Sequence, residues 1–234
     1  MIKIRTFVVT PFAQNLKVLI DTDTSRCLLI DPGGEEKRVV DYLSEENLTV
    51  EKILLTHSHI DHVGGLAKFE ELLPGESTKL LGHPVEKEMR GAIGFQCEMF
   101  GLPQGTFQNA REPDQLLSGG ESIEFGSIVL EAIFTPGHSP GHLSFFIKEL
   151  GEWKIEWDSK EEPDQEGTGP LLIAGDALFQ GSIGRTDLPG GNHEQLISSI
   201  KEKLLTLPPE TRVLAGHGPD TEIKIEATSN PFLQ

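Results

Sequence analysis

The string Thr56-His57-Ser58-His59-Ile60-Asp61-His62 constrains this chain more than any other feature. It follows Ile53-Leu54-Leu55 directly, a short apolar run of the kind expected of a strand covered on both faces. The string therefore falls where a buried strand ends. A sheet holds such an outgoing loop still, and ligand sites gather at strand ends for that reason. Three imidazoles and one carboxylate, all between positions 57 and 62, supply nitrogen and oxygen donors suited to zinc, iron or manganese. With eight histidines in 234 residues, chance clustering is a weak alternative. The tight spacing lets a bent loop aim alternate side chains at two neighbouring points.

Three further donors stand in comparable places. His138 ends Phe134-Thr-Pro-Gly-His138, Asp176 ends Ile173-Ala-Gly-Asp176, and His217 ends Leu214-Ala-Gly-His217. All share one grammar: apolar strand, small turn residue, donor. Singly, each reads equally well as a loop residue. Together they complete two coordination shells.

Around these donors the chain reads as strands mixed with separated helices, a layered α/β arrangement. Ile2–Val9, Leu16–Asp21 and Cys27–Ile30 are strand-like, and an amphipathic helix carrying Val39, Val40 and Leu43 follows Asp31-Pro-Gly-Gly. Helical spacing resumes at Leu66, Phe69 and Leu73, and the stretch from Gly91 to Gly120 reads as loop with a short helix at most. Ile123–Phe134, Leu143–Ile147, Leu171–Ala174 and Arg212–Ala215 return to strand. Trp153–Trp157 alternates strictly, as one arm of a hairpin would. It lies in an acidic insertion near 149–169 that reads mainly as a solvated loop. Asn192-His-Glu-Gln195 opens a helix like a capping box, and a short helix near Glu222–Ala227 closes the chain.

The donor constellation resembles the metallo-β-lactamase superfamily over nearly the whole chain. That resemblance implies an α/β, four-layer αββα sandwich built as one domain over residues 1–234. It also implies roles: His57, His59 and His138 hold a first metal, Asp61, His62 and His217 a second, and Asp176 bridges them. Asp31, in Leu28-Leu-Ile-Asp31, matches the superfamily's early acidic motif, which supports the histidine loop from behind. His142 lies close enough in sequence to give similar support. His83 and His193 are left over and read as structural or exposed.

Within the superfamily, Gly137-His-Ser-Pro-Gly-His142, Gly175-Asp-Ala-Leu-Phe179, Gly184-Arg-Thr-Asp-Leu-Pro-Gly-Gly191 and Ala215-Gly-His-Gly-Pro219 look like the glyoxalase II group in its short form. The implied reaction is hydrolysis of a thioester, S-acylglutathione such as S-lactoylglutathione, to a hydroxy acid and a free thiol. Its implied cofactors are two divalent ions, zinc first, with iron or manganese as alternatives. A hydroxide bridging the ions attacks the carbonyl, with Asp61 and Asp176 beside it. Arg185 falls where those enzymes carry a basic residue near the glutathione moiety. Its competing role is a structural pair with Asp187. Full-length glyoxalase II adds a C-terminal helical domain that helps bind glutathione, and the expectation here is a chain without one.

Alternatives remain open at this point. A mononuclear-iron glutathione persulfide dioxygenase shares the His-x-His-x-Asp-His string and Gly-Arg-Thr-Asp, but leaves the second site empty. A lactonase or phosphodiesterase would use the same metal pair.

Bulk properties narrow the partners. The net charge of −17 argues against nucleic acid, because phosphate backbones need clustered Lys and Arg. No apolar run approaches the roughly 18 residues a membrane span requires. Two cysteines, Cys27 and Cys97, are a poor sign of an oxidising compartment, so a cytoplasmic enzyme acting on a small thioester is expected. Oligomeric state is left open.

Overall fold

The computed structural model describes residues 1–73, 78–159 and 162–234. Two mixed sheets face each other. The first runs in the order Gln165–Thr168, Glu152–Trp157, Ile2–Val9, Gln14–Asp21, Arg26–Ile30, Thr49–Leu54, Lys79–Gly82, Gln115–Leu116. The second runs Thr221–Glu222, Arg212–Ala215, Leu171–Gly175, Leu143–Ile147, Ile128–Phe134, Ser122–Phe125.

Period-two patterning explains why both sheets are covered twice. In the first sheet Ile4, Leu19, Leu28, Ile30 and Leu54 point between the sheets. Their alternates Phe7, Val18, Leu29 and Ile53 join Val39, Leu43, Leu66 and Phe69 of the helices Glu36–Glu45 and Leu66–Leu72 on the outer face. In the second sheet Leu171, Ile173 and Leu214 point inward, while Leu172, Ala174 and Val213 pack on Leu196, Ile200 and Ile223. Those last three come from His193–Ser199, its π-helical continuation Ile200–Leu204, and Ile223–Ser229. The result is helix, sheet, sheet, helix: the αββα sandwich expected from sequence.

Two local expectations need correction. Ile123–Phe134 is not one strand but a hairpin, Ser122–Phe125 against Ile128–Phe134, turned at Gly126 with φ +55°. The acidic insertion is not mainly a solvated loop. Glu152–Trp157 pairs parallel with Ile2–Val9 and antiparallel with Gln165–Thr168, extending the first sheet. Trp153, Ile155 and Trp157 enter the inter-sheet core, while Glu156 on the outer face pairs with Lys3 at 2.8 Å. Residues 160 and 161 of that insertion lie outside the described residues. Asn192 caps its helix by accepting the Gln195 amide at 3.0 Å, which is one half of a capping box.

His83 is buried, accepts the Val85 amide and stacks on Phe134 at 4.8 Å, whereas His193 is exposed in the first turn of its helix. Both cysteines are buried free thiols. No helix among the described residues is long and apolar enough to cross a membrane.

Candidate metal centre

Every donor singled out in the sequence leaves a strand at the same edge of the sandwich. Thr56 to His62 follow Thr49–Leu54, and Asp31 follows Arg26–Ile30 in the first sheet. His138 lies between Ile128–Phe134 and Leu143–Ile147, Asp176 follows Leu171–Gly175, and His217 follows Arg212–Ala215 in the second. The sheets are stitched together there. Leu143 N donates to Thr56 O at 2.7 Å, and Asn15 N to Gly216 O at 2.7 Å.

The seven donors form two connected groups. His57 Nε2, His59 Nδ1 and His138 Nε2 lie 2.9 to 3.2 Å from one another. His217 Nε2 stands 3.1 Å from Asp61 Oδ2 and 3.3 Å from His62 Nε2, which is itself 3.7 Å from Asp61 Oδ2. Asp176 reaches both groups: Oδ1 is 3.3 Å from His62 Nε2, and Oδ2 is 3.5 Å from His138 Nε2 and 3.4 Å from His217 Nε2. A tetrahedral ion with bonds of ~2.0–2.1 Å needs donors about 3.3 Å apart, so these separations suit metal coordination. Asp176 Oδ1 is buried without a hydrogen-bond partner, the state of a carboxylate oxygen reserved for a ligand.

Electrostatics separate the groups. Burial, followed by the neighbouring imidazoles, pushes His57 well below the usual histidine range, and His59 to about 3. Both are thus neutral donors. Burial opposes charge on His62 and His217 as well, but Asp176 and Asp61 outweigh it. His62 is raised well above its ordinary value and His217 to about 9. Reciprocally, His62 and His217 overcome burial and hold Asp176 well below the carboxylate range.

Partners behind the donors fix their orientation. His62 Nδ1 donates to Asp31 Oδ2 at 2.9 Å, as expected of that acid. Asp31 also accepts the Thr56 amide and hydroxyl, at 2.7 and 2.6 Å, from a left-handed backbone of φ +52°. With Thr56 Oγ1 donating there, His57 Nδ1 donates to that oxygen at 3.0 Å and leaves Nε2 free for a ligand. His138 Nδ1 donates to Arg185 O at 2.8 Å, and His217 Nδ1 to Phe12 O at 3.1 Å. His142 accepts the Asp176 amide at 3.0 Å, so it holds Asp176 by its backbone. Gly175, φ +52°, admits this contact because an added Cβ would lie 2.7 Å from His142 Nε2. Gly216 is equally constrained, since its Cβ would meet Asp176 Oδ1 at 2.2 Å. Gly216 is therefore clearance for the donor Asp176, Gly175 for its supporting His142, and Gly137 for the backbone of Leu196 in the helix His193–Ser199.

Arg185 lines the open cavity with Asp61, Asp176 and His217, but its guanidinium also grips Asp187 through two bonds of 2.7 and 2.8 Å. The pair with Asp187 expected from sequence is present, and Arg185 still borders the cavity.

Sequence reasoning missed Glu86 and Gln96. Buried Glu86 accepts the Ser58 amide at 2.9 Å, the Ser139 hydroxyl at 2.9 Å and the Gly141 amide at 2.7 Å. Gln96 accepts the Ile60 amide at 2.9 Å and donates to Ser58 O at 3.3 Å. Neither stands in a donor-rich motif, and each becomes visible only when separate loops meet.

The family model of the metallo-beta-lactamase superfamily matches residues 11–151 and 166–217. The chain belongs to the metallo-β-lactamase superfamily. It is a metal-dependent hydrolase of that superfamily. It is similar to the probable metallo-hydrolase YqgX of Bacillus subtilis (strain 168), 40% identical over 99% of this chain and 97% of the relative. It is 37% identical to the hydroxyacylglutathione hydrolase GloC of Haemophilus influenzae, over 96% and 95%. Among solved metallo-β-lactamase-fold structures, the B3 metallo-beta-lactamase BLEG-1 aligns at a TM-score of 0.80 and 33% identity, covering 99% of both chains. TTHA1623, in a di-iron-bound form, aligns at 0.76 and 33%, covering 97% of this chain and 98% of that one.

Proposed function

We propose that this protein is a dinuclear metal thioesterase that hydrolyses S-acylglutathione, with S-lactoylglutathione as the reference substrate. One observation carries the dinuclear part: Asp176 stands within 3.5 Å of ligand nitrogens in both donor groups, and the second group is complete. The likeness to a hydroxyacylglutathione hydrolase supports the thioester part.

His57, His59 and His138 would hold one ion, and Asp61, His62 and His217 the other, with Asp176 shared. When bound, such ions supply Lewis acidity and a water acidified toward neutrality, and zinc, iron and manganese all suit these donors. TTHA1623 with its two irons keeps iron beside zinc as a candidate. The chain's own residues orient and exclude. Asp31, Arg185 O and Phe12 O fix the imidazole tautomers, and Asp61 and Asp176 line one cavity, where their carboxylates would steer the proton of the attacking water. Arg185, tempered by Asp187, faces the same space as an anchor for a glutathione carboxylate. In the net reaction water adds its oxygen to the acyl carbon, the carbon–sulfur bond breaks, and acid and thiol leave.

The test is a substrate panel with bound metal counted on the same sample: thioester, lactone, phosphodiester, β-lactam and glutathione persulfide with oxygen uptake. Two metals with thioester turnover support the proposal. Two metals with no thioester turnover remove the substrate assignment. A single iron with persulfide-dependent oxygen consumption replaces it with the dioxygenase.

A further inference from the structure

Beside the donor cluster lies a second cavity of about 340 Å³, within the usual range for small-molecule sites. Its wall is mostly apolar, with Val85, Met89, Phe95, Met99, Pro140 and Leu188. Val85, Phe95 and Met99 are 55, 63 and 43% exposed, a cluster of large apolar side chains around one opening. Such clustering marks a binding surface, unlike single exposed apolar residues.

Two observations connect this groove to the metal centre. His59 and Leu188 line both it and the cavity that contains Asp61, Asp176, Arg185 and His217. The groove wall is also tied to the histidine loop, because Gln96, in the helix Ile93–Met99, bonds Ile60 N and Ser58 O. The opening is one trough, with the candidate metal donors and Arg185 beyond His59 on one side and a largely apolar wall on the other.

We infer that the apolar groove is the acyl subsite, so that the favoured substrates are thioesters of medium-length apolar acids rather than of lactate. This rests on the thioesterase reading above. Arg185 sets the direction: the carboxylates of glutathione match the side holding that cation and Ser182, leaving the acyl chain to the groove, whose lining, among the described residues, has no cation. Glu88, at the groove wall, disfavours an acyl chain ending in carboxylate. An apolar pocket discriminates by about tenfold or more per methylene it accommodates.

The metal-loaded protein is assayed with S-hexanoylglutathione and S-lactoylglutathione. In parallel, calorimetry measures binding of two inert thioethers, S-hexylglutathione and S-methylglutathione. The expected kcat/KM ratio, hexanoyl over lactoyl, is about tenfold or more, with a similar preference for the hexyl thioether. In the double variant Phe95→Ser, Met99→Ser both ratios fall at least fivefold. Both positions are exposed enough for the fold to tolerate serine. Val129→Ser, exposed on the strand Ile128–Phe134 away from the trough, keeps the native ratios. Equal use of the two thioesters, or ratios that survive the double variant, overturns the acyl subsite. If neither thioester is cleaved, the thioesterase reading fails. The thioethers then decide the groove alone: a hexyl preference lost in the double variant keeps it, and equal or absent binding removes it.

Discussion

Glu86 Oε2 accepts the Ser58 amide at 2.9 Å, midway between the donors His57 and His59. Its other oxygen takes Ser139 Oγ and Gly141 N, on either side of Pro140 and just past His138. One buried carboxylate thus sets the separation of two loops from different sheets. Glu86→Gln should keep the fold but lower first-site metal affinity about 10–100-fold, measured by chelator competition. Glu86→Ala should also destabilise, by on the order of 1–3 kcal/mol for each donor left buried without a partner. Native affinity in Glu86→Gln would show that the carboxylate is a packing feature only.

The two donor groups should empty independently. Metal analysis of His138→Ala and His217→Ala, each against the native protein, is expected to show a fall from two ions toward one. Asp176→Ala should weaken both sites, because its oxygens face His62, His138 and His217. Loss of both ions in His217→Ala would mean that the groups do not behave as separable sites.

Lys17 and Asp220 form a buried pair at 3.8 Å between the sheets, and Asp220 also accepts the Ala215 amide two residues before His217. Burial drives the Lys17 ammonium down and the Asp220 carboxyl up in pKa. Removing one charge strands the other, so Lys17→Met should cost about 3–5 kcal/mol in denaturant unfolding. The double change Lys17→Met, Asp220→Asn keeps an acceptor for Ala215 N and should recover much of that loss. Additive losses would rule out coupling between the two.

Metal-free protein should lose stability as pH rises from about 6.5 to 9. His217 has its folded pKa raised to about 9, so its contribution is full below the ordinary histidine value and is lost as pH climbs through 9. That span corresponds to roughly 3 kcal/mol for this group, with His62 acting in the same direction. Below 6.5 the buried neutral His57 and His59 reverse the trend, since the unfolded chain takes up their protons first. Thermal melts of chelator-treated protein across this range test the slope. A flat profile between 6.5 and 9 would contradict the proposed His217–Asp176–Asp61 cluster.

The donors were legible in the chain before any fold was known. Imidazole and carboxylate chemistry is local, and the strand–glycine–donor grammar could be read without knowing which strands were neighbours. The two-sided burial of Ile53–Leu55 was legible too, because alternation within a strand is a property of the backbone. Tertiary structure alone decided the rest. Glu86 carries no motif of its own, and its role exists only because Ser58 and Gly141, 83 positions apart, meet over one carboxylate. Trp153–Trp157 alternates legibly, yet its parallel pairing with Ile2–Val9 depends on an edge left open by the first strands. Glycines 175 and 216 read as turn residues, but the backbone and donor atoms they must clear belong to loops distant in sequence. Those facts are set by long-range packing, in which partners are chosen by the whole sandwich rather than by their neighbours in the chain.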